Sequence, residues 1–135
     1  MLFNSRMNIS VEHIAVPAAE PTALKNWYER VLGAKLIFDN GQNPATYLVS
    51  LGNVWLEIYK AEALLSERSN NKLAGFRHLA LKVDSLAAAR TELERRGVKF
   101  TEEIRPAAGA GNVLFFADGE GNLLHLVERP ENFKW

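Results

Sequence analysis

The chain contains three histidines and no cysteine. Any transition-metal site must therefore draw on imidazole and oxygen donors. His13 lies in Ser10-Val11-Glu12-His13-Ile14-Ala15-Val16, and His78 lies in Gly75-Phe76-Arg77-His78-Leu79-Ala80-Leu81-Lys82-Val83. The two stretches look alike, and each puts an imidazole among strand-forming residues. His125 lies in Leu123-Leu124-His125-Leu126-Val127, and Glu57 lies between Leu56 and Ile58. A carboxylate in so apolar a strand is costly without a partner. Imidazole and carboxylate are common ligands of Zn²⁺, Ni²⁺, Fe²⁺ and Mn²⁺, so one divalent ion on His13, Glu57, His78 and His125 is the expected chemistry.

Strand alternation places these four residues. Side chains along a strand point to opposite faces in turn. Ile14 and Val16 oppose His13, Leu56 and Ile58 oppose Glu57, Leu79 and Leu81 oppose His78, and Leu124 and Leu126 oppose His125. The aliphatic face of each strand should pack on helices. The other face carries the four candidate ligands, with Trp55, Tyr59 and Phe76 beside them as candidate substrate-lining residues.

The elements that must position them come in two copies. Val11 to Val16 reads as a strand ended by the Pro17 to Pro21 segment. Residues 22–32 carry Leu24, Trp27, Tyr28 and Val31 at helical spacing, with Thr22 as N-cap and Gly33 as the closing glycine. Strands follow at Lys35 to Asp39, Thr46 to Leu51 and Val54 to Tyr59. Residues 60–74 read as a polar linker with a weak helical signal at Ala63 to Arg68. The order then repeats. Phe76 to Val83 is a strand, and a helix capped by Asp84 or Ser85 carries Leu86, Ala89 and Leu93 on one face. Strands follow at Val98 to Glu102, Asn112 to Ala117 and Leu123 to Val127. His78 follows His13 by 65 positions, Gly97 follows Gly33 by 64, and His125 follows Glu57 by 68. An internal repeat of this kind fixes the architecture. It predicts an α+β fold of two βαβββ modules, about 9–60 and 75–130, within one domain spanning 1–135. The strands should form a curved, open eight-stranded sheet with the helices outside. The small-residue loop Ala107 to Gly111 reads as a lid.

Composition narrows the function. The chain has 135 residues, with 16 basic and 16 acidic side chains. That zero balance excludes a general nucleic-acid or membrane-surface binder, which needs a basic excess. No apolar run approaches the roughly 20 residues that span a bilayer. The opening residues lack the charged region and long apolar core of a signal peptide. They read as a loose tail, and the expected location is the cytoplasm.

With these residues in order, the sequence resembles the vicinal oxygen chelate superfamily of glyoxalase I, extradiol dioxygenases, and fosfomycin and bleomycin resistance proteins. The carriers are Glu12-His13-Ile14-Ala15-Val16, Trp27-Tyr28-Glu29-Arg30-Val31-Leu32-Gly33, Trp55-Leu56-Glu57-Ile58, Phe76-Arg77-His78-Leu79-Ala80 and Asp118-Gly119-Glu120-Gly121-Asn122-Leu123-Leu124-His125-Leu126-Val127. Together they cover about Val11 to Glu128. The resemblance implies ligands on the first and fourth strands of each module, the slots held by His13, Glu57, His78 and His125. It implies a glyoxalase I-like lyase or isomerase acting on a small molecule with two neighbouring oxygens, with Glu57 as catalytic base or ligand. It also implies a homodimer, with the metal site within one chain or shared across the interface. Glyoxalase I has glutamate in the last slot, where this chain has His125, so Glu57 is its sole carboxylate. The alternatives are an extradiol-type dioxygenase using Fe²⁺ or Mn²⁺, a fosfomycin-modifying transferase, or a non-catalytic small-molecule-binding or resistance protein.

Overall fold

The computed structural model describes residues 7–133; of the tail expected over residues 1–7, residues 1–6 lie outside these residues. The elements run in the order β1 (His13–Ala18), α1 (Pro21–Leu32), β2 (Lys35–Asp39), β3 (Tyr47–Leu51), β4 (Val54–Lys60), β5 (His78–Lys82), α2 (Leu86–Arg95), β6 (Arg105–Pro106), β7 (Asn112–Ala117) and β8 (Leu123–Glu128). Strand, helix and three strands thus occur twice. The eight strands form two four-stranded sheets, ordered β1-β4-β3-β2 and β5-β8-β7-β6. In each sheet the first strand runs parallel to the fourth and the remaining pairs are antiparallel.

The aliphatic faces pack where alternation puts them, except that Ile14 of β1 stays 38 % exposed. Leu56 and Ile58 of β4, Leu124 and Leu126 of β8, and Leu114 and Phe116 of β7 share one core with Leu24, Tyr28 and Val31 of α1 and Leu86 and Leu93 of α2. Burial of this apolar surface is the main stabilising term. The turn before β8 ties the modules together. Asp118 Oδ2 accepts from the buried Tyr28 hydroxyl at 2.7 Å. The Glu120 carboxylate accepts from the backbone N–H of Ala19 at 2.8 Å and of Glu20 at 2.7 Å, and pairs with Arg68.

Several expected boundaries move. β1 runs through Pro17 to Ala18. It is an edge strand, so the missing proline N–H falls where no ladder partner is needed. α1 begins at Pro21, not Thr22; its cap residue Glu20 makes no side-chain bond of its own. The Thr22 hydroxyl instead bonds the Tyr47 hydroxyl at 2.7 Å, and Glu120 from the other module accepts from the N–H groups of Ala19 and the cap residue Glu20, just before the helix. α2 follows expectation: Ser85 Oγ accepts from Ala88 N–H, and Glu128 also accepts from Leu86 N–H. The strand expected at Val98 to Glu102 is absent. Val98 and Phe100 are held by core packing instead, and the ladder forms later, with Arg105 opposite Val113 and Pro106 opposite Asn112. The linker contains turns and bends and no helix.

Candidate metal centre

The two modules present their candidate ligands in the same way. In the β1–β4 pair Ala15 lies opposite Glu57, and His13 stands two residues earlier on the parallel neighbour. In the β5–β8 pair Ala80 lies opposite His125, and His78 stands two residues earlier. Equal offsets on parallel strands bring each pair of side chains together on the face opposite the core. His13 Nε2 lies 3.9 Å from Glu57 Oε1. The His78 and His125 rings lie 4.5 Å apart between centroids. Two half-sites therefore form, one of imidazole and carboxylate and one of two imidazoles. Among the described residues, no three His, Asp or Glu side chains converge on one point that could hold an ion.

The half-sites differ in their surroundings. His13 is exposed and Glu57 half-buried. His125 is 9 % exposed, and its Nδ1 is buried without a hydrogen-bond partner. Its pKa falls from the ordinary 6.5 to about 4, first because burial penalises the charged form, then because His78, Arg129 and Arg105 add positive charge nearby. It is therefore a neutral imidazole with an unsatisfied buried nitrogen at neutral pH. Phe115, opposite His125 in the β7–β8 ladder, packs against both imidazoles, with centroids 4.7 Å from His125 and 5.3 Å from His78. The Arg105 guanidinium covers the Phe115 ring at 4.7 Å.

The Nδ1 atoms of the two more exposed histidines are occupied. Glu12 Oε1 lies 2.9 Å from His13 Nδ1, and Asn71 Oδ1 lies 2.7 Å from His78 Nδ1. An oxygen partner at Nδ1 leaves Nε2 as the nitrogen with a free lone pair. Three imidazoles that can be neutral and one carboxylate form a donor set suited to a divalent transition ion. His13, His78 and His125 thus fit the role on their own chemistry.

Trp55 and Tyr59 flank Glu57 at alternate positions on β4 and are half-buried. Phe76 precedes β5 and is fully exposed, so within one chain it covers neither half-site. The lid expected at Ala107 to Gly111 is clamped. Arg129 donates to the carbonyls of Ala108 and Ala110, and Ala107 N–H donates to Gly111 O. Gly111 has φ 98°, and a Cβ there would lie 2.0 Å from Glu128 O. The small residues of this loop serve close packing. A cleft of about 650 Å³ lies among α1, α2 and the edge strands β1 and β5 and contains none of the four candidate ligands.

Sequence reasoning missed Asn71, Phe115 and Arg105. The β7–β8 register is the signal that would have found Phe115. Asn71 sits in a segment without periodicity, and Arg105 follows a stretch misread as a strand.

The model of the Glyoxalase/Bleomycin resistance protein/Dioxygenase superfamily matches residues 10–126. The chain is 30% identical over 125 residues to the uncharacterized protein YwkD of Bacillus subtilis, covering 89% of this chain and 97% of that one. The glyoxalase family protein from Enterococcus faecalis superposes with a TM-score of 0.75 at 28% identity, over 88% of this chain and 97% of that one. A mutant of the fosfomycin resistance protein FosX from Listeria monocytogenes, complexed with Mn(II) and 1S,2S-dihydroxypropylphosphonic acid, shares the fold at a TM-score of 0.62 and 16% identity, over 94% of each chain.

Proposed function

Because the chain belongs to the Glyoxalase/Bleomycin resistance protein/Dioxygenase superfamily, we propose that it is a metal-dependent enzyme of the vicinal oxygen chelate type. His13, Glu57, His78 and His125 hold one divalent ion, and the substrate is a small molecule with two neighbouring oxygens. The observation that carries this reading is the matched pair: two half-sites, each built two residues out of register on parallel strands. A repeat that places ligand-type residues at equivalent points of both copies is hard to account for by packing alone.

The working unit is a homodimer, with the His13–Glu57 half-site of one copy facing the His78–His125 half-site of its partner. Among the described residues no three of the candidate side chains come together within one chain, which supports this arrangement. So do the positions of β1 and β5 at the ends of their sheets and the exposed apolar residues near them, Ile9, Val11 and Phe76. In such a dimer Phe76 would be covered and could join Trp55 and Tyr59 around the substrate.

When bound, a divalent ion supplies Lewis acidity that stabilises negative charge developing on substrate oxygen. Neutral His125 contributes an uncharged donor, so the four residues carry a single negative charge. Glu57, 35% exposed at its side chain, is the carboxylate that can take a proton from a substrate carbon and return it to the neighbouring one. That supports lyase or isomerase chemistry over oxygen insertion.

Metal analysis of protein purified without added metal tests the reading. About one equivalent per chain is expected, with a rise in Tm on adding Ni²⁺, Zn²⁺, Mn²⁺ or Fe²⁺. Less than ~0.1 equivalent and no thermal shift would leave a metal-free ligand-binding role, since an ion that binds the native state must stabilise it. Oxygen uptake with catechols would identify a dioxygenase instead.

A further inference from the structure

We infer that Asn71, in the segment joining the two modules, is a positioning residue that fixes the tautomer of His78 and so decides which nitrogen the half-site presents. The Asn71 amide oxygen lies 2.7 Å from His78 Nδ1. An amide oxygen can only accept, so Nδ1 carries the proton and Nε2 carries the lone pair. A metal-binding imidazole is commonly held in this way, its second nitrogen fixed by an oxygen acceptor.

The contact is built into the linker. Asn70 organises the preceding turns: its side-chain oxygen accepts from Lys72 N–H at 3.0 Å, and its side-chain nitrogen donates to Glu67 Oε1 at 3.3 Å. Its backbone N–H donates to Glu67 O, and its carbonyl accepts from Leu73 N–H. Arg77, the residue before His78, reaches back to the same carbonyl at 3.4 Å. Residues 67–77 therefore fold back on themselves and set Asn71 against the imidazole that opens β5. His13 has a local counterpart in its neighbour Glu12, also on Nδ1. Both modules thus lock the imidazole of their first strand by the same nitrogen. The first uses an adjacent carboxylate, the second a neutral amide seven residues away.

The tautomer assignment stands on this geometry alone; its consequence for metal affinity rests on the function proposed above. The test is two-part. Long-range ¹⁵N–¹H spectra of the metal-free protein at pH 8 should show His78 protonated on Nδ1, and Asn71→Leu should move the proton toward Nε2. Calorimetric titration with Zn²⁺ should show affinity weakened about 10–100-fold by Asn71→Leu, with unchanged Tm in the absence of metal. Asn71→Asp keeps an acceptor oxygen and should restore both. A wild-type His78 protonated on Nε2, or an Asn71→Leu protein with unaltered tautomer and affinity, overturns the inference. If the tautomer behaves as expected and wild type binds no Zn²⁺, the metal reading fails while the Asn71–His78 assignment is upheld.

Discussion

The imidazoles of His78 and His125 lie 4.5 Å apart with their planes inclined by 58°, and the environment of the pair keeps His125 uncharged. Burial, then His78, Arg129 and Arg105, lower its pKa to about 4. An unfolded histidine titrates near 6.5. Between those values the unfolded chain binds a proton at His125 that the native chain does not. Stability therefore falls as pH drops from about 6.5 to 4, with a slope from this residue of at most about 1.4 kcal/mol per pH unit. Above pH 6.5 the residue is neutral in both states and contributes no slope. Urea unfolding of wild type and His125→Leu across pH 4–8 checks this: the variant should lose that part of the acid destabilisation. Parallel curves would show that His125 titrates normally.

The Tyr28 hydroxyl and Asp118 form the buried polar link between α1 and the β7–β8 turn. Asp118 also accepts from the backbone N–H of Glu120 and Asn122 and from the Asn122 amide. Tyr28→Phe removes one donor of four and should cost about 1–2 kcal/mol. Asp118→Ala strands several donors at once and should cost more, about 2–4 kcal/mol. Chemical denaturation measures both. Burial and the neighbouring Asp118 hold the Tyr28 hydroxyl well above its usual 10, so its tyrosinate absorbance should appear only on alkaline unfolding.

The parts of this molecule readable from sequence are those governed by period. Alternation placed Leu56 and Ile58 on one face and Glu57 on the other, and did the same for Leu124, Leu126 and His125, because successive side chains of a strand point to opposite faces, even in β8, where both faces are buried. The repeat then equated the two pairs. What escaped has no period. Glu120 caps a helix 100 positions away, a contact that no local pattern encodes. Asn71 reaches His78 through turns whose geometry depends on Asn70 and Arg77. Val98 and Phe100 have the composition of a strand and meet no strand partner. Pro17 looked like a breaker because the sequence does not reveal that β1 is an edge.

Glu120 should behave as a helix cap supplied from the other module. Burial alone would raise its carboxyl, and the N–H groups of Glu20 and Ala19, with Arg68, outweigh that and bring the pKa below the ordinary value. A carboxylate lowered in the native state stabilises above its unfolded pKa, near 4.3. That contribution is lost as pH falls through the lower native value. Glu120→Ala should therefore lower stability by about 1–2 kcal/mol at pH 7, with a smaller deficit near pH 3. Glu120→Gln, which retains one acceptor oxygen, should fall between. A deficit independent of pH would mean that the side chain acts by packing, without its charge.

A shared site makes a prediction that a site within one chain cannot share. His13→Ala and His78→Ala each remove a ligand from a different half-site, so each homodimer should lose metal from both of its centres. When the two variants are unfolded together and refolded, about half of the dimers should be mixed. In a mixed dimer one centre receives both lesions and the other receives none. Metal content of the mixture should therefore recover to about a quarter of wild type, while each variant refolded alone stays near zero. Recovery requires His13 and Glu57 of one copy to meet His78 and His125 of the other. If the four ligands belonged to one chain, every centre in the mixture would carry one lesion and no recovery would occur. Zn²⁺ content after gel filtration, with the dimer mass confirmed, decides between the two.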